Sequence, residues 1–213
     1  MNTRLPPVYS GKFKYDEAVA RRYQVRNPAK QKAELALVAR AFKSIPPGRL
    51  LDIPCGGGRM SRLLASYGFR VTAADYSEAM LAITAAQYEG AAPEAIERQD
   101  IERLSYADGA FDQVLCFRLF HHFPTPEIRQ RAISELCRVS ADMVAVSYFS
   151  PWAPTSLKYQ LKAKLGLPAG DKFATPLSEL RRYFAVHGFV LESDHAQCPL
   201  LRRLHLAVFR RQS

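Results

Sequence analysis

The chain has 213 residues, with 30 Lys and Arg against 20 Asp and Glu, a formal net charge of +10 and a pI near 9.6. This is the size of one ordinary domain. Hydrophobic residues at 48% and charged residues at 23% match globular averages, which excludes intrinsic disorder and a small scaffold stapled by metal or disulfides.

No window approaches the roughly 18 apolar residues of a membrane span, and residues 1–10 hold no apolar run of signal-peptide type, so a cytoplasmic protein is expected. Cys55, Cys116, Cys137 and Cys198 are scattered without ligand spacing, so neither disulfides nor a metal site is expected. Residues 1–48 carry 10 basic and 3 acidic side chains, residues 49–148 carry 10 and 13, and residues 149–213 carry 10 and 4. The positive excess therefore lies in the flanks, as basic additions facing an anionic substrate or surface, or as a solvated coat.

In chain order, residues 1–14 contain Pro6, Pro7 and Gly11 without periodicity and read as a mobile arm. A short helix is expected over 16–23. Asn27-Pro28 is a helix start, followed by Leu35, Val38, Ala39 and Phe42 at helical spacing up to Pro46-Pro47-Gly48. The apolar run 50–53 then meets Gly56-Gly57-Gly58, and Met60, Leu63, Leu64 and Tyr67 mark a helix closed by Gly68. The pattern repeats with a strand at 71–74, a helix from Ser77 to Glu89, a strand near 95–99 and a buried strand at 111–117. Thr125-Pro126 starts a helix carrying Ile128, Ala132 and Leu136, and 143–148 reads as a fifth strand. An insertion at 150–172 breaks the rhythm before Thr175-Pro176 starts another helix. Runs at 189–191 and 204–209, with no helix between them, must form an antiparallel hairpin at the sheet edge. Alternating strands and helices predict an α/β, doubly wound, Rossmann-like sheet, mostly parallel, with helices on both faces.

Ligands of such sheets bind beyond the carboxyl ends of the strands. The first such loop reads Asp52-Ile53-Pro54-Cys55-Gly56-Gly57-Gly58-Arg59, glycine-rich but without the third glycine of a dinucleotide fingerprint. Asp75, followed by Tyr76 and Ser77, lies 19 residues after Gly56, where a carboxylate meets ribose hydroxyls. These features point to a nucleoside without a diphosphate. Asp100-Ile101 then offers a carboxylate and an apolar residue, suited to the edge and face of an adenine.

In these loops the sequence resembles class I S-adenosylmethionine-dependent methyltransferases of the small stand-alone type. Leu51-Asp52, Cys55-Gly56 and Gly58 match the family's L-D-x-G-C-G-x-G loop, whereas Pro54 stands where its first glycine is usual and should fix an extended turn. The resemblance implies that Gly56 and Gly58 lie against the methionine moiety and that Asp75 takes the ribose hydroxyls. Asp100 and Ile101 would then flank the adenine, backbone near Arg118 would receive the ammonium, and Asp52 would act through the loop backbone or a water. Tyr15 and Arg21-Arg22-Tyr23 occupy the place of a helix that closes over the cofactor. The chain then divides into the arm at 1–14 and one methyltransferase domain at 15–213. Within that domain lie a helical lid (15–45), a cofactor-binding core (49–148) and a basic substrate-side insertion (149–175).

His121 and His122, at the mouth of the expected acceptor site, are candidate proton acceptors, or else rings that pack or cap. Tyr148, Phe149 and Trp152 either line an apolar pocket or bury the root of the insertion. Leu157, Leu161 and Leu165, interleaved with Lys158, Lys162 and Lys164, predict a short amphipathic helix that lies on an anionic membrane surface, covers an apolar acceptor, or packs on the sheet edge. The expected activity is methyl transfer to a small-molecule or lipid-like, anionic acceptor. The alternatives are an RNA or protein methyltransferase and a non-catalytic cofactor-binding partner. Nucleic acid is disfavoured by the lack of an appended RNA-binding module or an Asn-Pro-Pro-Tyr-like motif.

Overall fold

The structure is a computed structural model that describes residues 27–87, 92–168, 172–198 and 201–212. The expected arm at 1–14, the helix at 16–23 and Tyr15 lie outside the described residues. Asn27 caps α1 (Pro28–Phe42) by accepting the Lys30 N–H at 3.2 Å, and Pro28 takes the first helical position. β1 (Arg49–Asp52), α2 (Arg59–Ser66), β2 (Arg70–Asp75) and α3 (Glu78–Ala86) follow. Ser77 caps α3 by accepting the Met80 N–H at 3.3 Å. α3 ends at Ala86 rather than at Glu89, which itself lies outside the described residues. Then come β3 (Ala95–Arg98), β4 (Phe111–Cys116), a 3-10 turn (Phe120–His122), α4 (Pro126–Val139) and β5 (Ser140–Phe149). α5 (Pro154–Lys164), α6 (Leu177–Ala185), β6 (Phe189–Ala196) and β7 (Leu204–Arg211) complete the order.

The seven strands lie in the order β3-β2-β1-β4-β5-β7-β6. β1 to β5 pair in parallel, while β7 runs antiparallel to both β5 and β6. The C-terminal hairpin is therefore present, with its second strand inside the sheet and β6 at the edge. Side chains alternate between two apolar layers, as the period of two requires. Leu50, Leu115, Ala145 and Val208 face α1 and α2, whereas Leu51, Val114, Val144 and Phe209 face α4 and α6. Strand order reverses between β1 and β4, so their carboxyl ends open the crevice where such sheets take ligands.

The insertion does contain the expected helix, α5, yet its leucines are not packed. Leu157, Leu161 and Leu165 are 47%, 59% and 63% exposed, and Ser156 is the residue α5 buries. Trp152 also stays in solvent, at 76%, while Tyr148 and Phe149 are buried. Among the described residues no helix is long and apolar enough to cross a membrane.

Candidate functional site

The parallel register places Asp52 opposite Ala73, so the loop after β1 emerges beside the end of β2. Cys55 N–H bonds the Ala74 carbonyl at 2.8 Å, and Gly56 N–H donates to Asp75 Oδ2 at 2.9 Å. The other Asp75 oxygen accepts the Ser77 N–H at 2.9 Å. Thr84 Oγ1 donates to the Gly56 carbonyl at 2.7 Å, pinning the loop to α3. Gly56 and Gly58 have φ of 56° and 71°, left-handed values that a side chain would strain, so the loop's path depends on these two residues. The Ile53–Pro54 peptide is cis. Asp75 is buried, and burial raises its pKa above the ordinary carboxylate value. Each of its oxygens carries a second lone pair, so it retains acceptor capacity towards a hydroxyl.

Asp52 lies deeper, 1% exposed, and accepts the Ser61 hydroxyl at 2.6 Å. Burial pushes its pKa up to about 7; the Ser61 bond opposes this and the charge of Asp75 adds to it. Tyr76 is half-buried, with the Arg98 guanidinium 5.1 Å from its ring centroid. Asp100 is half-buried and accepts the Glu102 N–H at 3.1 Å, while Ile101 is buried in the layer facing α4 and α6.

Beyond β4, Arg118 has φ of 67°, the one non-glycine residue with positive φ among the described residues, and its N–H donates to Ser147 Oγ at 2.5 Å. Such a conformation in a β-carbon residue is strained and concentrates at functional positions. Its guanidinium reaches Glu34 Oε1 at 3.5 Å, and Arg59 reaches Glu34 Oε2 at 3.1 Å. Glu34, 1% exposed, thus joins α1, the glycine loop and the β4 loop. Sequence reasoning missed this residue. It stands three, four and seven positions before Leu37, Val38 and Ala41 on the buried face of α1, and a charge on such a stripe is the signal for a buried partner.

His121 and His122 are both buried. The His121 ring stacks on Phe149 at 4.3 Å and lies 4.2 Å from that of His122. Burial, with Arg118 and then His122 adding, drives the pKa of His121 far below the ordinary imidazole value. A ring held neutral this strongly is a weak proton acceptor, which favours packing over base catalysis for His121. Among the described residues there is no group of three or more His, Cys, Asp or Glu able to hold a metal.

Pro54, Cys55 and Gly57 from the first loop and Arg59 and Met60 from the start of α2 meet Phe117 and Arg118 around a small recess. The structure thus brings Pro54, Cys55, Gly56, Gly58, Asp52, Asp75 and Arg118 together at the switch point. Tyr15 is not among the described residues.

Residues 50–142 match the family model described as a methyltransferase domain. An uncharacterized chloroplastic methyltransferase of Arabidopsis thaliana is 33% identical over 114 residues, covering 50% of this chain and 32% of that protein. A ubiquinone biosynthesis O-methyltransferase of Hahella chejuensis is 31% identical over 102 residues, covering 47% and 43%. The chain thus spans less than half the length of these curated relatives. Among solved structures, magnesium protoporphyrin IX methyltransferase from Synechocystis, with bound SAH, superposes with a TM-score of 0.70 at 22% identity, covering 91% of this chain and 84% of that one. The glycine loop at β1, the carboxylate at β2, the 3-2-1-4-5-7-6 sheet and the match over residues 50–142 agree, and residues 50–142 are a methyltransferase domain of the class I S-adenosylmethionine-dependent type.

Proposed function

We propose that the protein transfers a methyl group from S-adenosylmethionine to a small-molecule or lipid-like acceptor. The observation that carries this reading is the left-handed glycine loop tied through Gly56 N–H to Asp75, beside the strained Arg118 backbone. The residues fit the group. Gly56 and Gly58 present bare backbone, Asp75 keeps lone pairs for ribose hydroxyls, Asp100 stands beyond the end of β3 for the adenine while the Ile101 side chain is packed in the core behind it, and the Arg118 carbonyl serves the ammonium. When bound, the cofactor would supply an electrophilic methyl on a sulfonium whose thioether sulfur leaves with the bonding pair.

The chain's own task is then to orient and to exclude water, and orientation of this kind contributes roughly 7 to 11 kcal/mol. The Glu34–Arg59–Arg118 cluster locks the loop geometry, and the Arg118 guanidinium lies 5.6 Å from the Phe149 ring centroid. The exposed leucines and lysines of α5 favour an acceptor delivered from an anionic membrane surface. An RNA acceptor draws support from the basic flanks alone.

Asp75→Ala tests the reading by calorimetry with S-adenosylhomocysteine. Loss of charge-assisted bonds of roughly 1.5 to 3 kcal/mol should weaken binding about tenfold or more. The melting temperature should also fall, because the N–H groups of Gly56 and Ser77 lose their acceptor. Unchanged affinity would place the ribose elsewhere. Formation of methylated product from an extract of mixed metabolites separates an enzyme from a silent binder.

A further inference from the structure

Next to the cofactor recess, and sharing Arg118 with it, lies a second cavity of about 590 Å³. Small-molecule pockets run roughly 300 to 1,000 Å³, so this one holds a ligand of metabolite size. Its described walls come from α1, Arg118 after β4, Phe149 at the end of β5, Thr155 of α5, Lys172, Gln197 and residues 201–204. Among the described residues they carry Lys30, Arg118, Lys172, Arg202 and Arg203 and the carboxylate of Glu34. That carboxylate is already shared by Arg59 and Arg118. A cleft lined mainly by one sign of charge concentrates the opposite sign.

Arg203 is the distinctive member. Its guanidinium lies 4.0 Å from the Phe149 ring centroid and 5.3 Å from that of Tyr159. Among the described residues it has no carboxylate partner, unlike the paired Arg49, Arg129, Arg131, Arg138 and Arg210. Half-burial costs an unpaired cation solvation, so a site that keeps one gains by admitting an anion. Aromatic neighbours engage the faces of a guanidinium and leave its N–H edge, a planar fork, for a carboxylate or phosphate.

We propose that this cavity seats the methyl acceptor and selects an organic acid, whose anionic group pairs with Arg203 while its carbon body packs along Leu201 and Leu204. The proposal rests on the methyltransferase reading for the word acceptor, and the anion site itself is tested separately. Phenylacetate, 3-phenylpropionate and octanoate, each against its neutral amide, and phenyl phosphate are titrated calorimetrically in the presence of S-adenosylhomocysteine. The wild type should bind acids about tenfold or more tighter than their amides, and the preference between carboxylate and phosphate identifies the anionic group. R203Q should erase that preference, R203K should keep part of it, and S-adenosylhomocysteine affinity should stay the same in both. Acids binding no better than amides, or R203Q binding acids as the wild type does, overturns the proposal. Acid binding that depends on Arg203 in a protein unable to bind S-adenosylhomocysteine supports the anion site and sinks the methyltransferase reading. Cofactor binding without acid preference does the reverse.

Discussion

Asp52 lies beneath the glycine loop with Ser61 as its hydroxyl partner, and its carboxyl holds its proton up to about pH 7. In the unfolded chain a carboxyl of this kind titrates near 3.8. Between those values the folded protein binds a proton that the unfolded chain has released, so stability falls as pH rises through this window and levels off above about 7. Asp52→Asn keeps an acceptor for Ser61 and removes the titration. Urea unfolding should therefore show the variant gaining on the wild type between pH 5 and pH 8, by on the order of 2 kcal/mol. A constant difference would mean that Asp52 is ionised in the fold. The sequence shows a carboxylate at the end of each of β1 and β2, because strand ends are legible from apolar runs. It does not show that Asp75 holds the Gly56 N–H or that Ser61 reaches Asp52, since both depend on register and on the first turn of α2. Pairings across 19 and 9 residues arise only once the sheet exists.

At the scale of elements, α5 separates what periodicity can tell from what it cannot. Leu157, Leu161 and Leu165 at intervals of four announce a helix, and the helix is there. The same spacing is the usual mark of a packed face, yet these side chains stand in solvent beside Lys158, Lys162 and Lys164. Periodicity specifies a stripe, not what covers it. Each lysine near an anionic surface contributes about 1 kcal/mol, so replacing the three with Gln should remove about 3 kcal/mol of vesicle binding. Co-sedimentation with anionic and neutral vesicles at two salt concentrations measures it. A wild type that ignores anionic vesicles at low salt removes the membrane from the proposed function. α1 shows the opposite failure, where an apolar stripe was legible and the buried Glu34 within it was not. Its two arginine partners come from the start of α2 and the loop after β4, 25 and 84 residues away, a meeting that helix spacing does not encode.

The whole sheet was legible in its alternation of strands and helices, because two apolar faces require crossovers on both sides. The place of β7 was legible only as half of a hairpin, and the structure sets it between β5 and β6, with both of its edges paired. Removing residues 204–211 should therefore abolish cooperative unfolding rather than trim an edge. A truncated protein that still melts in one sharp transition would contradict this. The same arrangement bears on how the protein is made. A ribosome delivers the glycine loop, Asp75, Arg118 and all of β5 before any residue of β7 exists. At about 5 to 20 residues per second, β5 waits on the order of seconds for its second neighbour. During that interval Val144, Val146 and Tyr148 line an open strand edge, with the binding loops already assembled above a sheet that is still incomplete. That edge closes only when Leu204 to Arg211 arrives.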